Sequence, residues 1–266
     1  MSLRMPAEHG AWGMWTVPLL SAAIVAGTWN VPLLLCAVCA LGLFLLRGSV
    51  EAQGGWREIR QPVHLGLATV VAATGAALLF FYQRSELVWV ILGGLALYGL
   101  QAAILRRHSG ARSEERTEKR SLTAEMVGVV LLSLAAPAAW IVARGQMDKE
   151  AAAVWLLNVL FFLGSVLYVK YRVRGLLAHR RFATWTERLA FAWPVWVYHT
   201  LLLAFLAGWI WMVDGTVMVV LAFLPAVLRA NGLVFQLGRR FPIRRLGWME
   251  MAQSVAFLAL LVLAFR

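Results

Sequence analysis

Charged side chains are scarce in this chain, and acidic ones are scarcer than basic ones. Charged residues make up 14% of the 266 residues, and aspartate occurs only at Asp148 and Asp214. Hydrophobic residues make up 61% and the mean hydropathy is +0.73. Too few polar side chains remain to cover a water-soluble globule of this length. The composition therefore excludes an ordinary soluble domain and indicates a membrane protein.

Cysteine is nearly absent, and familiar catalytic motifs are missing. Cys36 and Cys39 lie three residues apart inside one apolar run, where cysteine behaves as a small hydrophobic residue and no disulfide framework is implied. The sequence has no nucleotide-binding loop and no Ser/His/Asp arrangement. We therefore expect no metal site in this run and no ATP-driven activity.

The apolar residues form runs of about 15 to 25 residues, the length a helix needs to cross a hydrocarbon core of roughly 30 Å. The first run follows Arg4, but no small-residue cleavage site is evident before Val31, so we keep it as a span. The sequence predicts an all-α, polytopic fold with nine transmembrane helices, over Ala11–Trp29, Val31–Leu46, Val63–Tyr82, Leu87–Leu105, Met126–Val142, Ala151–Val169, Leu189–Val213, Thr216–Leu237 and Trp248–Phe265.

The basic residues are divided unequally between the two sides of the predicted membrane. With the N-terminus inside, 21 of the 25 Lys and Arg residues lie on the cytoplasmic side, and the outer side keeps only Arg84, Arg144, Lys149 and Arg266. Positive residues mark cytoplasmic loops, so this distribution also explains the net charge of +12 without nucleic acid as a partner. We predict one transmembrane domain over residues 1–266 in the bacterial cytoplasmic (inner) membrane, with the C-terminus outside.

The long loops all lie on the cytoplasmic side, at 47–62, 106–125, 170–188 and 238–247. Functional residues are commonly carried by long loops on a rigid scaffold. Spans two and six both run inward into basic loops, at 44–51 and 167–174, which hints at two facing halves of one cavity. We therefore expect the functional surface at the cytoplasmic mouth.

Three segments carry a family resemblance: EHGAWGMWTVP at 8–18, RSLTAE at 120–125 and NVLFFLGSVLYVKYRVR at 158–174. They resemble the YwiC-like family of bacterial membrane proteins. That family is similar in turn to the UbiA-type intramembrane prenyltransferases, and this resemblance implies a nine-helix bundle with a central cavity facing the cytoplasm.

The resemblance to UbiA-type enzymes also implies aspartate-rich motifs after spans two and six, which hold Mg²⁺ against a prenyl diphosphate. This chain departs from that pattern. Its stretch after span two offers Glu51 and Glu58, and its stretch after span six offers Lys170, Arg172 and Arg174. Cations in place of carboxylates would repel Mg²⁺. We therefore expect no ordinary Mg²⁺-dependent prenyl transfer.

Arg229 is the most informative single residue, because it lies about eight residues inside span eight and thus roughly 12 Å deep at 1.5 Å per residue. An ionisable residue at that depth is costly unless it is paired or snorkels. It either contacts a ligand or is a structural strut paired with an acid such as Glu250. The candidate ligand-binding residues are Arg229, Lys170, Arg172, Glu51, His9, Asn158 and Asn231.

Each of these candidates also has a structural interpretation. Lys170 and Arg172 complement the helix dipole at a cytoplasmic helix end. His9 follows Glu8 and precedes Trp12, as in a helix cap followed by an interfacial anchor, or as in a proton donor oriented by a carboxylate. His64 and His199 raise the question of haem, but their depths differ by about ten residues, which disfavours a shared axial pair. We expect no cofactor, neither haem nor Mg²⁺.

The sequence thus predicts a UbiA-like membrane protein that binds an isoprenoid, a quinone or another amphipathic lipid in a cytoplasm-facing cavity. Two other classes stay open. One is a divergent prenyltransferase that uses Glu51, Glu58 and Glu125 in place of aspartates. The other is a membrane subunit or assembly factor of a respiratory complex, which would have a protein partner.

Overall fold

Helices are the regular secondary structure of the described residues, which in this computed structural model are 9–53, 62–106, 114–177, 184–213, 216–237 and 242–265. The helices are α1 His9–Ala26, α2 Val31–Gln53, α3 Pro62–Ala76, α4 Leu87–Arg106, α5 Glu114–Ser133, α6 Ala135–Arg144, α7 Lys149–Leu177, α8 Trp185–Val213, α9 Val217–Asn231, α10 Leu233–Gln236 and α11 Ile243–Ala264. A π-helical turn, Ala77–Phe81, continues α3.

Seven helical segments are long and apolar enough to cross a membrane, and two shorter apolar helices, Gly10–Ala26 and Val217–Asn231, accompany them. A multi-pass membrane architecture follows from these lengths. Every one of the nine predicted spans overlaps a helix or a pair of consecutive helices. The two shorter helices correspond to predicted spans one and eight, so the structure supports seven spans by length and leaves the full count of nine as a prediction.

Several helices continue well beyond the predicted spans into segments that we expected to be loops. Helix α2 extends to Gln53, α5 begins at Glu114, and α7 extends to Leu177. Seven of the twelve residues in the first part of α5, EERTEKRSLTAE, are Glu, Arg or Lys, which are favourable in helices although they are charged. Hydropathy marks where a helix leaves the apolar layer, and the helix itself ends later.

Two breaks divide predicted spans into consecutive helices. Pro137 cannot donate a backbone hydrogen bond to residue 133, and the chain turns at Leu134 between α5 and α6. The hydroxyl of Ser133 there is buried and has no hydrogen-bond partner among the described residues. The second break lies at Gly232, whose N–H donates to Leu228 O at 3.0 Å between α9 and α10.

Two helix starts are capped by side chains on the predicted outer side. Asn30 Oδ1 accepts a hydrogen bond from Leu33 N–H at 2.9 Å at the start of α2. Asp148 does the same for α7, because its Oδ1 accepts from Ala151 N–H at 2.8 Å. Asn and Asp are preferred at this position because they satisfy backbone donors that the first turn leaves open. One of the two aspartates is therefore explained as a helix cap.

The structure divides into two compact units, residues 1–96 with 132–155, and residues 97–131 with 156–266. In unit 1, α1 packs along α6, and α2 packs against both α3 and α6. The rings of Trp12, Trp15 and Phe44 are in mutual contact, with centroids 5.0 to 6.4 Å apart. Large aromatic contacts of this kind contribute strongly to helix packing.

In unit 2, α9 packs against both α8 and α11, and the short helix α10 packs against α8 and α9. Three phenylalanines join α7, α9 and α11, since Phe161 stacks on Phe257 at 4.0 Å and both contact Phe223. A second apolar cluster contains Tyr168 from α7 together with residues of α8, α9, α10 and α11. The polar residues of the candidate site lie in this unit.

Candidate functional site

A buried ion pair joins α9 and α11 inside unit 2. Arg229 and Glu250 make two hydrogen bonds, Nη1 to Oε1 and Nη2 to Oε2, the second at 3.2 Å. Their side chains are 6% and 9% exposed. This bidentate arrangement is the strong form of an arginine–carboxylate pair. It corresponds to the structural alternative that the sequence left open for Arg229, and it makes Glu250 part of the site.

Two residues of α7 complete the surroundings of this pair. The hydroxyl of Ser165 donates a hydrogen bond to Glu250 Oε2. The guanidinium carbon of Arg229 lies 4.1 Å from the centroid of the Tyr168 ring, which is cation–π geometry. Nε of Arg229 is buried and has no hydrogen-bond partner among the described residues. The pair is thus held by three helices, with one donor of the arginine left open.

His199 on α8 interacts electrostatically with Arg229. Its Nδ1 is 2.7 Å from Val195 O, and because a carbonyl only accepts hydrogen bonds, Nδ1 carries a proton, which in the neutral ring leaves the lone pair on Nε2. A Cβ built on Gly164 of α7 would lie 3.3 Å from that Nε2 and 2.9 Å from Cε1 of Tyr198. The glycine is therefore what allows α7 and the imidazole to approach so closely.

Arg172 and Gln236 form a second polar contact one helical turn along α7. Nη1 of Arg172 donates to Gln236 O at 2.6 Å, and Tyr168 Oη donates to Gln236 Oε1 at 3.0 Å. Gln236 is the last residue of α10, where a helix leaves carbonyl groups without intrahelical donors. Arg172, which is only 2% exposed, satisfies such a carbonyl and so has a structural role as well as its predicted one.

The other described candidates do not all share this environment. Lys170 donates to Glu125 Oε1 at 2.8 Å, and the two side chains are 12% and 44% exposed, so this pair is partly buried and reaches the surface of the unit at Glu125. Asn158 is fully buried in α7. Asn231 is exposed, and its amide donates to Val227 O of its own helix at 3.0 Å. The structure brings Arg229 and Arg172 into one polar region and places Asn231 at the surface.

The remaining predicted residues lie elsewhere. The side chains of His9 and Glu51 and all of Glu58 lie outside the described part of the chain. His64 belongs to unit 1, is buried, and has no hydrogen-bond partner among the described residues on either ring nitrogen. Within the described ranges no group of three or more His, Cys, Asp or Glu residues could hold a metal ion.

An apolar groove of about 400 Å³ lies along α8, lined by Leu189, Trp193, Trp196, Val197, Thr200 and Leu201. Trp196 also packs against the apolar cluster that contains Tyr168. Its Nε1 is buried and has no hydrogen-bond partner in the described parts of the chain. The groove thus adjoins the packing around the polar residues, and it has the apolar lining that a hydrocarbon chain requires.

Ser165 is the residue of this site for which the sequence gives no signal, since a serine in an apolar helix has no preferred role. Glu250 did have a signal, because it is the only acidic residue within predicted span nine. The sequence analysis named it only as a strut for Arg229. Two opposite charges within consecutive spans favour pairing, since an unpaired charge inside a membrane is costly.

Comparison with known proteins gives one family and two relatives. The family described as YwiC-like protein matches residues 5–140. The protein YwiC of Bacillus subtilis (strain 168), described as uncharacterised, is 28% identical over 276 aligned positions, which cover 99% of this chain and 98% of the relative. An uncharacterised protein of Haemophilus influenzae is 25% identical over 150 positions, 56% of each chain. No solved structure matches this chain.

Proposed function

This chain belongs to the YwiC-like family, and from that premise we propose that it is a nine-span protein of the bacterial inner membrane that binds an amphipathic lipid. The ligand class is an isoprenoid, a quinone or a similar molecule with a polar head and an apolar tail. Unit 2 supplies the site, with Arg229 at the head group and the groove on α8 for the tail.

The observation that carries this proposal is the buried arginine with an open donor. Arg229 is held by Glu250 and by the ring of Tyr168, yet its Nε has no partner among the described residues. A buried donor without an acceptor costs about 1–3 kcal/mol, and a carbonyl, carboxylate or phosphate oxygen of a ligand would remove that cost. The apolar surroundings then favour a ligand that enters from the lipid phase.

An enzymatic role on the UbiA pattern has less support from the described residues. Of the three glutamates considered for it, Glu125 accepts a hydrogen bond from Lys170, so it already neutralises a cation. Mg²⁺ with a diphosphate needs several carboxylate oxygens that converge on one point. We therefore prefer lipid binding without metal-dependent transfer, and with no protein partner required for the site itself.

Mass spectrometry of lipids retained by the purified protein tests the proposal. We expect one lipid class to be enriched in the wild type and to be reduced about ten- to a hundredfold in Arg229→Gln/Glu250→Gln, because a charge-assisted hydrogen bond contributes about 1.5–3 kcal/mol. The double change removes the guanidinium without leaving Glu250 as a buried unpaired charge.

Arg144→Gln/Glu150→Gln is the matched control, since it removes an ion pair that is half exposed and lies in unit 1. This control should retain as much lipid as the wild type. Lipid retention at the wild-type level in the folded Arg229→Gln/Glu250→Gln variant would contradict binding at this site. Recovery of a stoichiometric protein in place of a lipid would favour the subunit or assembly-factor alternative.

The nine-span topology has its own test by cysteine labelling. We expect a cysteine at Ser85, in the turn between α3 and α4, to react with a membrane-impermeant thiol reagent from the periplasm. A cysteine at Ser109, in the basic segment after α4, should not react with the reagent added from the periplasm, because positive segments stay cytoplasmic. Cys36 and Cys39 are changed to serine first to remove background. Labelling of position 109 from the periplasm, with no labelling of position 85, would show that the chain has the opposite orientation in the membrane.

A further inference from the structure

Four arginines lie in helix turns at one end of unit 2, on the side that the topology predicts to be cytoplasmic. They are Arg174 in the last turn of α7, Arg188 in the first turn of α8, and Arg244 and Arg245 in the first turn of α11. We call these four residues the basic rim. Arg244 and Arg245 are exposed, and Arg174 and Arg188 are half-buried.

One apolar cluster beneath the basic rim holds these helix ends together. Ala192 of α8, Leu237 at the end of α10 and Leu246 of α11 are buried members of it. Tyr171 of α7 packs against the cluster, and its ring lies 5.5 Å from that of Phe191 on α8. The four arginines are therefore carried by helix ends that share one packed core.

Aromatic rings lie beside the arginines of the basic rim. The guanidinium carbon of Arg188 is 5.5 Å from the centroid of the Trp185 ring, and that of Arg174 is 5.3 Å from the centroid of the Tyr171 ring. The Trp185 ring in turn contacts Phe235 of α10 at 5.3 Å, and these two side chains are 55% and 60% exposed. Exposed aromatic rings next to basic side chains are typical of the level at which lipid head groups meet the acyl chains.

The basic rim has an excess of positive charge. Its helix turns contain one acidic residue, Glu187, which precedes Arg188 in the first turn of α8. The first turn of α11 contains no acidic residue and has no side-chain cap, although it carries Arg244 and Arg245. Basic residues are unfavourable at a helix N-terminus because the helix dipole is positive there. An anion at this end of the unit would offset both the charges of the arginines and the dipole.

Charges deeper in unit 2 do not reverse this balance. Lys170 pairs with Glu125, and Arg229 pairs with Glu250, so each of these pairs is neutral as a whole. Arg172 is buried in α7 between Lys170 and the basic rim, and it adds a further positive charge. The electrostatic potential at the basic rim is therefore positive, which is complementary to an anionic membrane surface.

We propose that the basic rim binds anionic phospholipids of the cytoplasmic leaflet. The lipid phosphate accepts hydrogen bonds from the arginines, and Trp185 and Phe235 lie beside the glycerol and the first methylene groups of the acyl chains. This surface does not use Arg229 or the groove on α8, so the inference goes beyond the proposed function and stands independently of it. It assigns the protein two kinds of lipid contact, one at the rim and one in the interior of the unit.

Native mass spectrometry of the full-length protein in a neutral detergent tests the inference. Phosphatidylglycerol and phosphatidylcholine with the same acyl chains are the two probes. In the wild type we expect tighter binding of phosphatidylglycerol, and we expect added salt to weaken it because salt screens exposed charges. Arg244→Gln/Arg245→Gln should lower the affinity for phosphatidylglycerol about fivefold for each arginine removed and should leave the affinity for phosphatidylcholine unchanged.

Two matched variants separate charge at the basic rim from charge in general and from misfolding. Arg144→Gln/Lys149→Gln removes two exposed basic residues on the predicted outer side, and it should bind phosphatidylglycerol as the wild type does. Arg244→Lys/Arg245→Lys keeps both charges in place and should recover most of the affinity that the glutamine variant loses, because lysine also binds phosphate.

The buried pair supplies a further control. Arg229→Gln/Glu250→Gln leaves the basic rim intact and should keep the wild-type affinity for phosphatidylglycerol. Equal affinities of the wild type for the two lipids would overturn the inference. So would an equal loss in the inner and outer glutamine variants, or a lysine variant that binds as weakly as the glutamine variant. A loss confined to Arg229→Gln/Glu250→Gln would overturn the inference and place the anionic lipid at the buried pair instead.

Discussion

Replacing Arg229 alone by glutamine should lower the free energy of unfolding by about 3–5 kcal/mol, the largest loss that we expect from a single change. The reason is that Glu250 would then be a buried carboxylate with no cation, and breaking one half of a buried ion pair costs this much. The measurement is reversible unfolding of the delipidated protein in mixed micelles, so that ligand binding does not contribute.

The double variant Arg229→Gln/Glu250→Gln should recover most of that loss. The two glutamine side chains are uncharged and can hydrogen-bond to each other. Replacing both members of a buried ion pair often changes the free energy of unfolding little. Glu150→Gln is the surface control, since Glu150 and its partner Arg144 are 57% and 40% exposed, and it should cost less than about 1 kcal/mol. A loss in Arg229→Gln as small as in Glu150→Gln would show that the buried pair is not a structural strut.

Gly164→Ala should also destabilise the protein, by about 1–3 kcal/mol, although alanine normally favours a helix over glycine. The added methyl group would lie 2.9 Å from Cε1 of Tyr198. That ring cannot easily move, because Tyr198 Oη donates to Leu160 O at 2.6 Å. Overpacking of a fixed contact costs about this amount.

Gly208→Ala on α8 is the matched control for this change. A Cβ at position 208 meets nothing within 4 Å, so only the helix preference of alanine acts, and it should stabilise by about 0.5–1 kcal/mol. The two substitutions should therefore differ in sign. Equal effects of the two would mean that α7 and α8 do not approach closely at Gly164.

The sequence located the helices well because a helix that crosses a bilayer needs an apolar run of a set length, and such runs are easily recognised in a sequence. It also carried local signals for some ends, as at Asn30, which caps α2. It misjudged ends such as that of α2 at Gln53, since hydropathy reports the apolar layer and not the hydrogen bonds that continue a helix beyond it. The break near Pro137 was also missed, because prolines are tolerated within membrane helices.

The site was predictable to the level of single ionisable residues and no further. Depth alone singled out Arg229 and suggested Glu250 as its partner, because an isolated charge in a membrane needs compensation. Which other side chains join the pair depends on how each helix is rotated about its axis. That rotation brings Ser165 and Tyr168 to the pair and leaves Asn231 exposed, and periodicity in a uniformly apolar helix does not reveal it.

The pairing of Arg229 with Glu250 also has a consequence for biosynthesis. Arg229 leaves the ribosome before its partner, which follows 21 positions later along the chain. During that interval α9, which is only 15 residues long, carries in its last turn an arginine without its carboxylate partner, and an unpaired charge in a membrane helix is costly. Helix α9 therefore gains a stable place in the bilayer only once α11 has followed it, so these two helices are expected to leave the insertion machinery as a pair.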